Sequence, residues 1–265
     1  MKKLKIFCVT NEEIKHLENL NLTLVGVGKK RFKKNYITCF NGKNIQEKEK
    51  HYSELTFHYW FWKNKLKNFN DDTWIGFCQK RRFWVKSDEE IKDLNDLKKN
   101  LLKTPHASWK DYESIICTPI RLDNPKKMKL IKRGLKNILK DPTIFFLKKK
   151  QNIKLHFDMH HGYGILDRSI KYLEKKDRED FQKFIEDNYS FNPHIMFIAK
   201  KKILNKWFKS LFQWLFKCEK EFGFVKLKGY DQQRLYAYLA ERYLSYWFKK
   251  NTRYLEWHWS FFELK

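Results

Sequence analysis

Short apolar runs, each closed by a turn or a helix signal, recur along this chain, and that rhythm restricts its fold more than any other feature. Residues 3–10 (KLKIFCVT) and 21–28 (NLTLVGVG) have the length of buried strands rather than of helices. Between them, Thr10, Asn11, Glu12 and Glu13 form the pattern of a capping box, which predicts a helix start. Strand, helix start and strand are the opening of a parallel α/β sheet. Further strands are expected at 73–78 (TWIGFC), 113–118 (ESIICT) and 193–199 (PHIMFIA). Helices are expected over 52–65, which is apolar round most of its circumference, and over 88–103, which has acids in its first turn and lysines in its last. Ile203, Trp207, Phe208, Leu211, Leu215 and Phe216 mark an amphipathic helix, and 231–249 a last long one, before an aromatic tail, WHWSFF, that predicts a covering strand or loop.

A chain of 265 residues, 42% apolar and 17% aromatic, has ample material for such a core and is expected to fold as a single domain. The five cysteines show no C-x-x-C pair, and Cys8, Cys78 and Cys117 fall inside strand-like runs, so buried free thiols in a reducing compartment are expected. The opening MKKLKIFCVT is too short and polar for a signal peptide, and no apolar stretch approaches the ~18 residues of a membrane span. The expected location is therefore the cytoplasm, with the inner face of the membrane as a surface the protein could touch.

Charge points to the class of partner. Lys and Arg total 57 against 31 acids, a net charge of +26. Such a field draws polyanions: nucleic acid, an anionic membrane, or phosphorylated ligands. Residues 121–150 concentrate it, with eleven Lys or Arg against Asp123 and Asp141. Met128, Ile131, Leu135, Ile138 and Leu139 fall there at helical spacing, so a basic amphipathic helix is expected. It either lies on an anionic bilayer or packs its apolar stripe on the domain.

Three constellations could carry chemistry. The strand at 73–78 runs into Gln79-Lys80-Arg81-Arg82, and ligands of open α/β sheets sit beyond the carboxyl ends of strands. The chain contains no Asp-x-Asp, the motif that holds a divalent metal on the diphosphate in many nucleotide-sugar enzymes. Lys80, Arg81 and Arg82 could neutralise a diphosphate directly instead, so no cofactor is expected to be required. The second constellation is His156-x-Asp158-x-His160-His161 followed by Asp167, which could bind sugar or phosphate, or a metal such as Mn or Mg if an extended strand aligned the side chains. The third lies in the last helix. Arg242 falls on the apolar line of Leu235, Leu239 and Tyr246 and so requires a partner, while Arg234, Glu241 and Ser245 form a polar stripe. Glu241 could act as a base or form an internal ion pair. Glu54 and His58, four residues apart on an aromatic helix, could reach a ligand together or satisfy each other.

Asn44-Ile-x-Glu47-Lys48, Tyr52-x-Glu54-Leu55-Thr56-x-x-Tyr59-Trp60-x-Trp62-Lys63-Asn64 and Ile75-Gly76 followed by Arg81-Arg82-Phe83 occur in this order. Met196-Phe197-Ile198, Gln232-x-Arg234 and Glu241-Arg242 follow. Together they resemble a bacterial family of capsular-polysaccharide or O-antigen glycosyltransferases formerly classed as a domain of unknown function. The resemblance implies an α/β, GT-A-like (Rossmann-like) nucleotide-diphospho-sugar transferase fold with a mixed, mostly parallel sheet flanked by helices. It implies transfer of a galactose-type hexose from a UDP-sugar donor to a glycan or lipid-linked glycan acceptor. By the same analogy Val9, Thr10 and Glu54 belong to the donor side with Lys80, Arg81 and Arg82. His160, Asp158 and Glu241 are the catalytic candidates, and His161, Asp167, Gln232 and Arg234 the sugar or acceptor candidates. About 1–118 would be the nucleotide-sugar half, 119–150 a basic insertion and 151–265 the acceptor half. The chain departs from the family at Gln79 and Lys80, where His-Tyr is usual, at Ile195, where Asn is usual, and over 121–150. The alternative is a basic membrane-surface or nucleic-acid-binding protein without catalysis.

Overall fold

The computed structural model describes residues 3–122, 125 and 127–263. In chain order the strands and helices are β1 (Leu4–Thr10), α1 (Lys15–Glu18), β2 (Thr23–Gly26), β3 (Ile37–Thr38), α2 (Glu49–Tyr52), α3 (Leu55–Asn64), β4 (Trp74–Gln79), β5 (Arg82–Trp84), α4 (Leu94–Asn100) and β6 (Ser114–Cys117). There follow β7 (Ile120–Arg121), α5 (Lys127–Lys140), α6 (Ile153–His161), α7 (Ile165–Ile170), α8 (Lys175–Asp187), β8 (Ser190–Phe191), β9 (Phe197–Lys200), α9 (Lys201–Phe222), α10 (Tyr230–Gln233), α11 (Leu235–Asn251), β10 (Tyr254–Trp257) and β11 (Trp259–Phe261). The chain divides into two compact units, the first comprising Met1–Thr118, His194–Ser210 and Trp247–Lys265, the second Pro119–Pro193 and Leu211–Tyr246.

The first unit is built on one mixed sheet of order β10-β6-β9-β4-β1-β2-β3, with β5 paired to β4 and β11 to β5. β1 lies parallel to both β2 and β4, β2 to β3, and β10 to β6, whereas β9 runs antiparallel between β4 and β6. Period-two alternation sends Ile6 and Cys8 of β1, with Trp74 and Cys78 of β4, into one apolar layer with Trp84, Leu97 and Trp109. Phe7 points the other way, its ring 5.3 and 5.0 Å from those of Phe57 and Phe61 on α3. Gly76 is required by β9: a Cβ there would lie 2.8 Å from the Ile198 side chain. All five cysteines are buried and none forms a disulfide.

The second unit is helical apart from the antiparallel pair of β7 and β8. Buried Leu130 of α5 clusters with Leu155 and Met159 of α6, and buried Gly134 faces the Met159 side chain.

Several sequence expectations change. Thr10 starts no helix; its hydroxyl closes a turn on itself, donating to the Glu12 carbonyl at 2.6 Å and accepting from Glu12 N at 3.2 Å. The helix expected over 88–103 is only α4, because Asp93 caps it, accepting from Asn95 N at 2.7 Å and Asp96 N at 2.9 Å. The His156-x-Asp158-x-His160 segment is not a strand. Asn152 caps α6 by accepting from Leu155 N at 2.9 Å, and Ile153, Phe157 and His161 are buried at the i, i+4, i+8 spacing of a helix.

Candidate functional site

The chain leaves β1 toward β2 and β3 on one side, then returns to place β4 on the other, so strand order reverses between β1 and β4. A reversal of this kind opens a crevice at the carboxyl ends of the two strands. Thr10, Asn11 and Glu12 end β1 there; Gln79, Lys80, Arg81 and Arg82 end β4. Gln79 pairs with Arg82, so the QKRR run is a tight hairpin with Lys80 and Arg81 at its tip.

Every cation on this rim meets an acceptor. Lys80 donates to Asn11 Oδ1 at 3.0 Å and to the Glu12 carboxylate, and that hydrogen bond, with the lysine's charge, holds Glu12 below the usual carboxylate range. Arg81 pairs with Glu263 at 3.0 Å, and both side chains are substantially exposed, at 40% and 52%. Arg82 approaches Gln79 Oε1 at 3.4 Å and lies 5.5 Å from the Phe261 ring. Gln79 donates to the Glu54 carboxylate and, at 2.8 Å, to the His194 carbonyl. Thus Glu54 joins the rim, as do Val9, whose carbonyl accepts from Lys80 N at 3.2 Å, and buried Thr10, whose carbonyl accepts from Val27 N at 2.9 Å. His58 does not: its fully buried ring lies 4.4 Å from that of Phe77, and burial pushes it down to about 3, so it is neutral. His194 and Ile195 have φ of 71° and 51°, a left-handed pair that aims the His194 carbonyl at Gln79.

The second unit gathers the remaining candidates round a buried guanidinium. Arg242 is 1% exposed; it donates to the Glu241 carboxylate and to His156 Nδ1 at 3.1 Å, and stacks 3.9 Å from the Phe191 ring. An Arg N–H can only donate, so His156 Nδ1 accepts and its proton sits on Nε2. The same logic holds for His160, whose Nδ1 meets Arg133 Nη1 at 2.8 Å. His161 is reversed: its Nδ1–H donates to the Asp231 carbonyl at 2.7 Å, and its ring stacks on Tyr238 with centroids 3.7 Å apart. Burial, reinforced by nearby cations, lowers His156 to about 2, His160 to about 4 and His161 to about 3. All three rings are neutral at pH 7.

Asp158 is raised by burial, and both its oxygens are engaged, one by Asn137 Nδ2 at 2.7 Å, the other by Gly164 N at 3.0 Å. It braces α5 and the Gly162–Gly164 turn against α6. Asp167 stands apart from the histidines, salt-bridged to Lys154 at 3.0 Å. Arg234 lies 5.1 Å from the Tyr230 ring, and Gln232 is in α10. Among the described residues no group of three or more His, Cys, Asp or Glu is placed to hold a metal ion. Sequence reasoning passed over Glu12 and Glu263 on the rim, and Arg133, Asn137 and Tyr238 round the histidines. Only Glu12 carried a signal, and it read as a helix cap.

Parallel strands on both sides of β1, an antiparallel β9 inside the sheet and helices on its faces fit a GT-A-like fold. The fold matches the solved apo structure of the WbbM bifunctional glycosyltransferase with a TM-score of 0.70, at 17% identity, over 99% of this chain and 46% of that one. The chain therefore spans about half the length of that protein. It belongs to the family described as Domain of unknown function (DUF4422), whose model matches residues 5–252. No curated protein matches the chain. Among the described residues no helix is long and apolar enough to cross a membrane.

Proposed function

We propose that this chain is a glycosyltransferase that moves a galactose-type hexose from a UDP-sugar to a growing capsular or lipopolysaccharide glycan. The observation that carries this reading is the tip of the β4–β5 hairpin, which sets Lys80, Arg81 and Arg82 at the strand-order reversal of a GT-A-like sheet. Val9 and Thr10 face the uridine side and the three cations take the diphosphate. Breaking the sugar–phosphate bond leaves added negative charge on the leaving diphosphate, and prepositioned guanidinium groups stabilise it without a metal. Glu54, held by Gln79, positions the crevice wall.

In the second unit Glu241 is the candidate base for an acceptor hydroxyl, and His160, protonated on Nε2, a hydrogen-bond donor to sugar or acceptor. His161, Gln232, Arg234 and Asp167 are assigned to the acceptor side, whereas Asp158, expected as a catalytic group, is assigned to positioning α6 because Asn137 and Gly164 engage both its oxygens.

Calorimetric titration with UDP and UDP-hexoses, with and without manganese, tests the assignment. UDP should bind without metal, and Arg81→Ala should weaken it about 10- to 100-fold, the worth of one or two charge-assisted hydrogen bonds. Equal affinity in the variant, or binding only with manganese, overturns the role given to the cations.

A further inference from the structure

We infer that α5 is a docking face for an anionic phospholipid bilayer. This does not rest on the glycosyl-transfer reading. The helix uses only part of its surface to join the second unit. Leu130 and Gly134 are buried and Ile138 half-buried against the α6 cluster, whereas Met128, Ile131, Leu135 and Leu139 are 63%, 43%, 52% and 75% exposed. At ~100° per residue those four fall within about 80° of one another, a continuous stripe rather than scattered contacts. Lys132 and Lys136 border the stripe, with Lys129 and Lys140 beyond them, all exposed. The chain then repeats the composition: Phe146 is 80% exposed, and Lys148 and Lys149 follow. Among the described residues of 127–150 the one acid is Asp141, already paired with Lys150 at 2.5 Å.

Apolar side chains on a solvated helix gain nothing from water, and four in line with a lysine border match one environment in both respects. Acyl chains take the stripe, while lysine stems reach outward to place their ammonium groups among lipid phosphates. A nucleic acid would satisfy the lysines and leave the stripe in water. An apolar protein groove would take the stripe and leave the lysines uncompensated.

Flotation of the full chain with vesicles tests this. Wild type should float with equimolar phosphatidylglycerol and phosphatidylcholine, and stay behind with phosphatidylcholine alone. Two variants separate the contributions: Met128→Ser/Ile131→Ser/Leu135→Ser/Leu139→Ser removes the stripe, and Lys132→Glu/Lys136→Glu/Lys140→Glu reverses the border. Each should lower partitioning at least about tenfold. Because the sites are exposed, thermal unfolding should stay cooperative, and the lysine variant tests the proposal even if the serine variant fails to fold. A control, Lys171→Glu/Lys175→Glu/Lys183→Glu, changes the same charge elsewhere in the second unit and should float like wild type. The inference is overturned if wild type does not float, if the control loses as much as the border variant, or if the stripe proves to be a self-association face. The last would show as a dimer in sedimentation that the serine variant abolishes, without flotation. Loss of flotation with UDP binding intact separates this inference from the assignment of the donor site.

Discussion

The sheet rim of the first unit and the histidine cluster of the second contain the same pair, an arginine beside a glutamate, in opposite surroundings. Arg81 and Glu263 are 40% and 52% exposed, whereas Arg242 and Glu241 are 1% and 15% exposed. In water the pair is a loose clasp worth about 0–1 kcal/mol, which a better anion can displace. Buried, the guanidinium is committed: Glu241, His156 and the Phe191 face surround it, and an incoming ligand could take it only by breaking those contacts out of reach of water. The rim is thus suited to exchange partners with a substrate, and the cluster to hold its geometry.

The largest consequence concerns stability. Arg242→Ala should destabilise the protein by about 3–5 kcal/mol, since it takes the guanidinium away from a mostly buried carboxylate and opens a hole beside Phe191. Arg81→Ala should change stability by no more than about 1 kcal/mol. Urea unfolding of the two variants checks the contrast, and similar losses would break it.

The next effect follows from the neutral rings. An unfolded histidine takes a proton near pH 6.5, whereas folded His156 and His161 resist it down to about 2 and 3. Below pH 6.5 the unfolded chain therefore binds more protons, and stability, fully present above that pH, falls as the solution is acidified. Between pH 7 and 5 each buried ring should forfeit about 2 kcal/mol, so about 4 kcal/mol for this pair. His160, half-buried and lowered only to about 4, adds somewhat less, and His58 in the first unit adds a similar step of its own. The double variant His156→Gln/His161→Gln should flatten the acid limb of a stability–pH curve. An equally steep limb would place the acid sensitivity elsewhere.

The two regions also differed in how far they could be read in advance. The rim was legible because the short apolar runs KLKIFCVT and TWIGFC are local signals, and a cation run directly after a strand has one place to go. The His-x-Asp-x-His-His run was not, since the spacing of four between His156 and His160 fits a strand face and a helix face alike. The deciding group, the Asn152 cap, lies outside the motif. The requirement that Arg242 have a partner was readable from the apolar line it shares with Leu235 and Leu239; that the partner would be a histidine 86 residues away was not. The strand expected from Pro193 starts only at Phe197, because His194 and Ile195 turn left-handed. A β-branched residue strongly disfavours that conformation, so nothing at position 195 announced it, whereas the family's usual Asn would have. On α5 the expected stripe is real but faces solvent, because burial of Leu130 and Gly134, rather than the larger apolar set, decides which side docks.

The smallest predicted effect is the sharpest test of the rim as an exchangeable clasp. If Glu263 merely occupies Arg81 until a diphosphate arrives, Glu263→Gln removes a competitor without disturbing the fold. UDP affinity should then rise about two- to threefold, the return of a fraction of a kcal/mol once spent on an exposed ion pair, with stability within about 0.5 kcal/mol of wild type. Glu12→Gln should act likewise through Lys80, and more strongly at low salt, where exposed charges are least screened. If either change weakens UDP instead, the acid orients its cation rather than competing for it, and the rim resembles the buried cluster more than its exposure suggests.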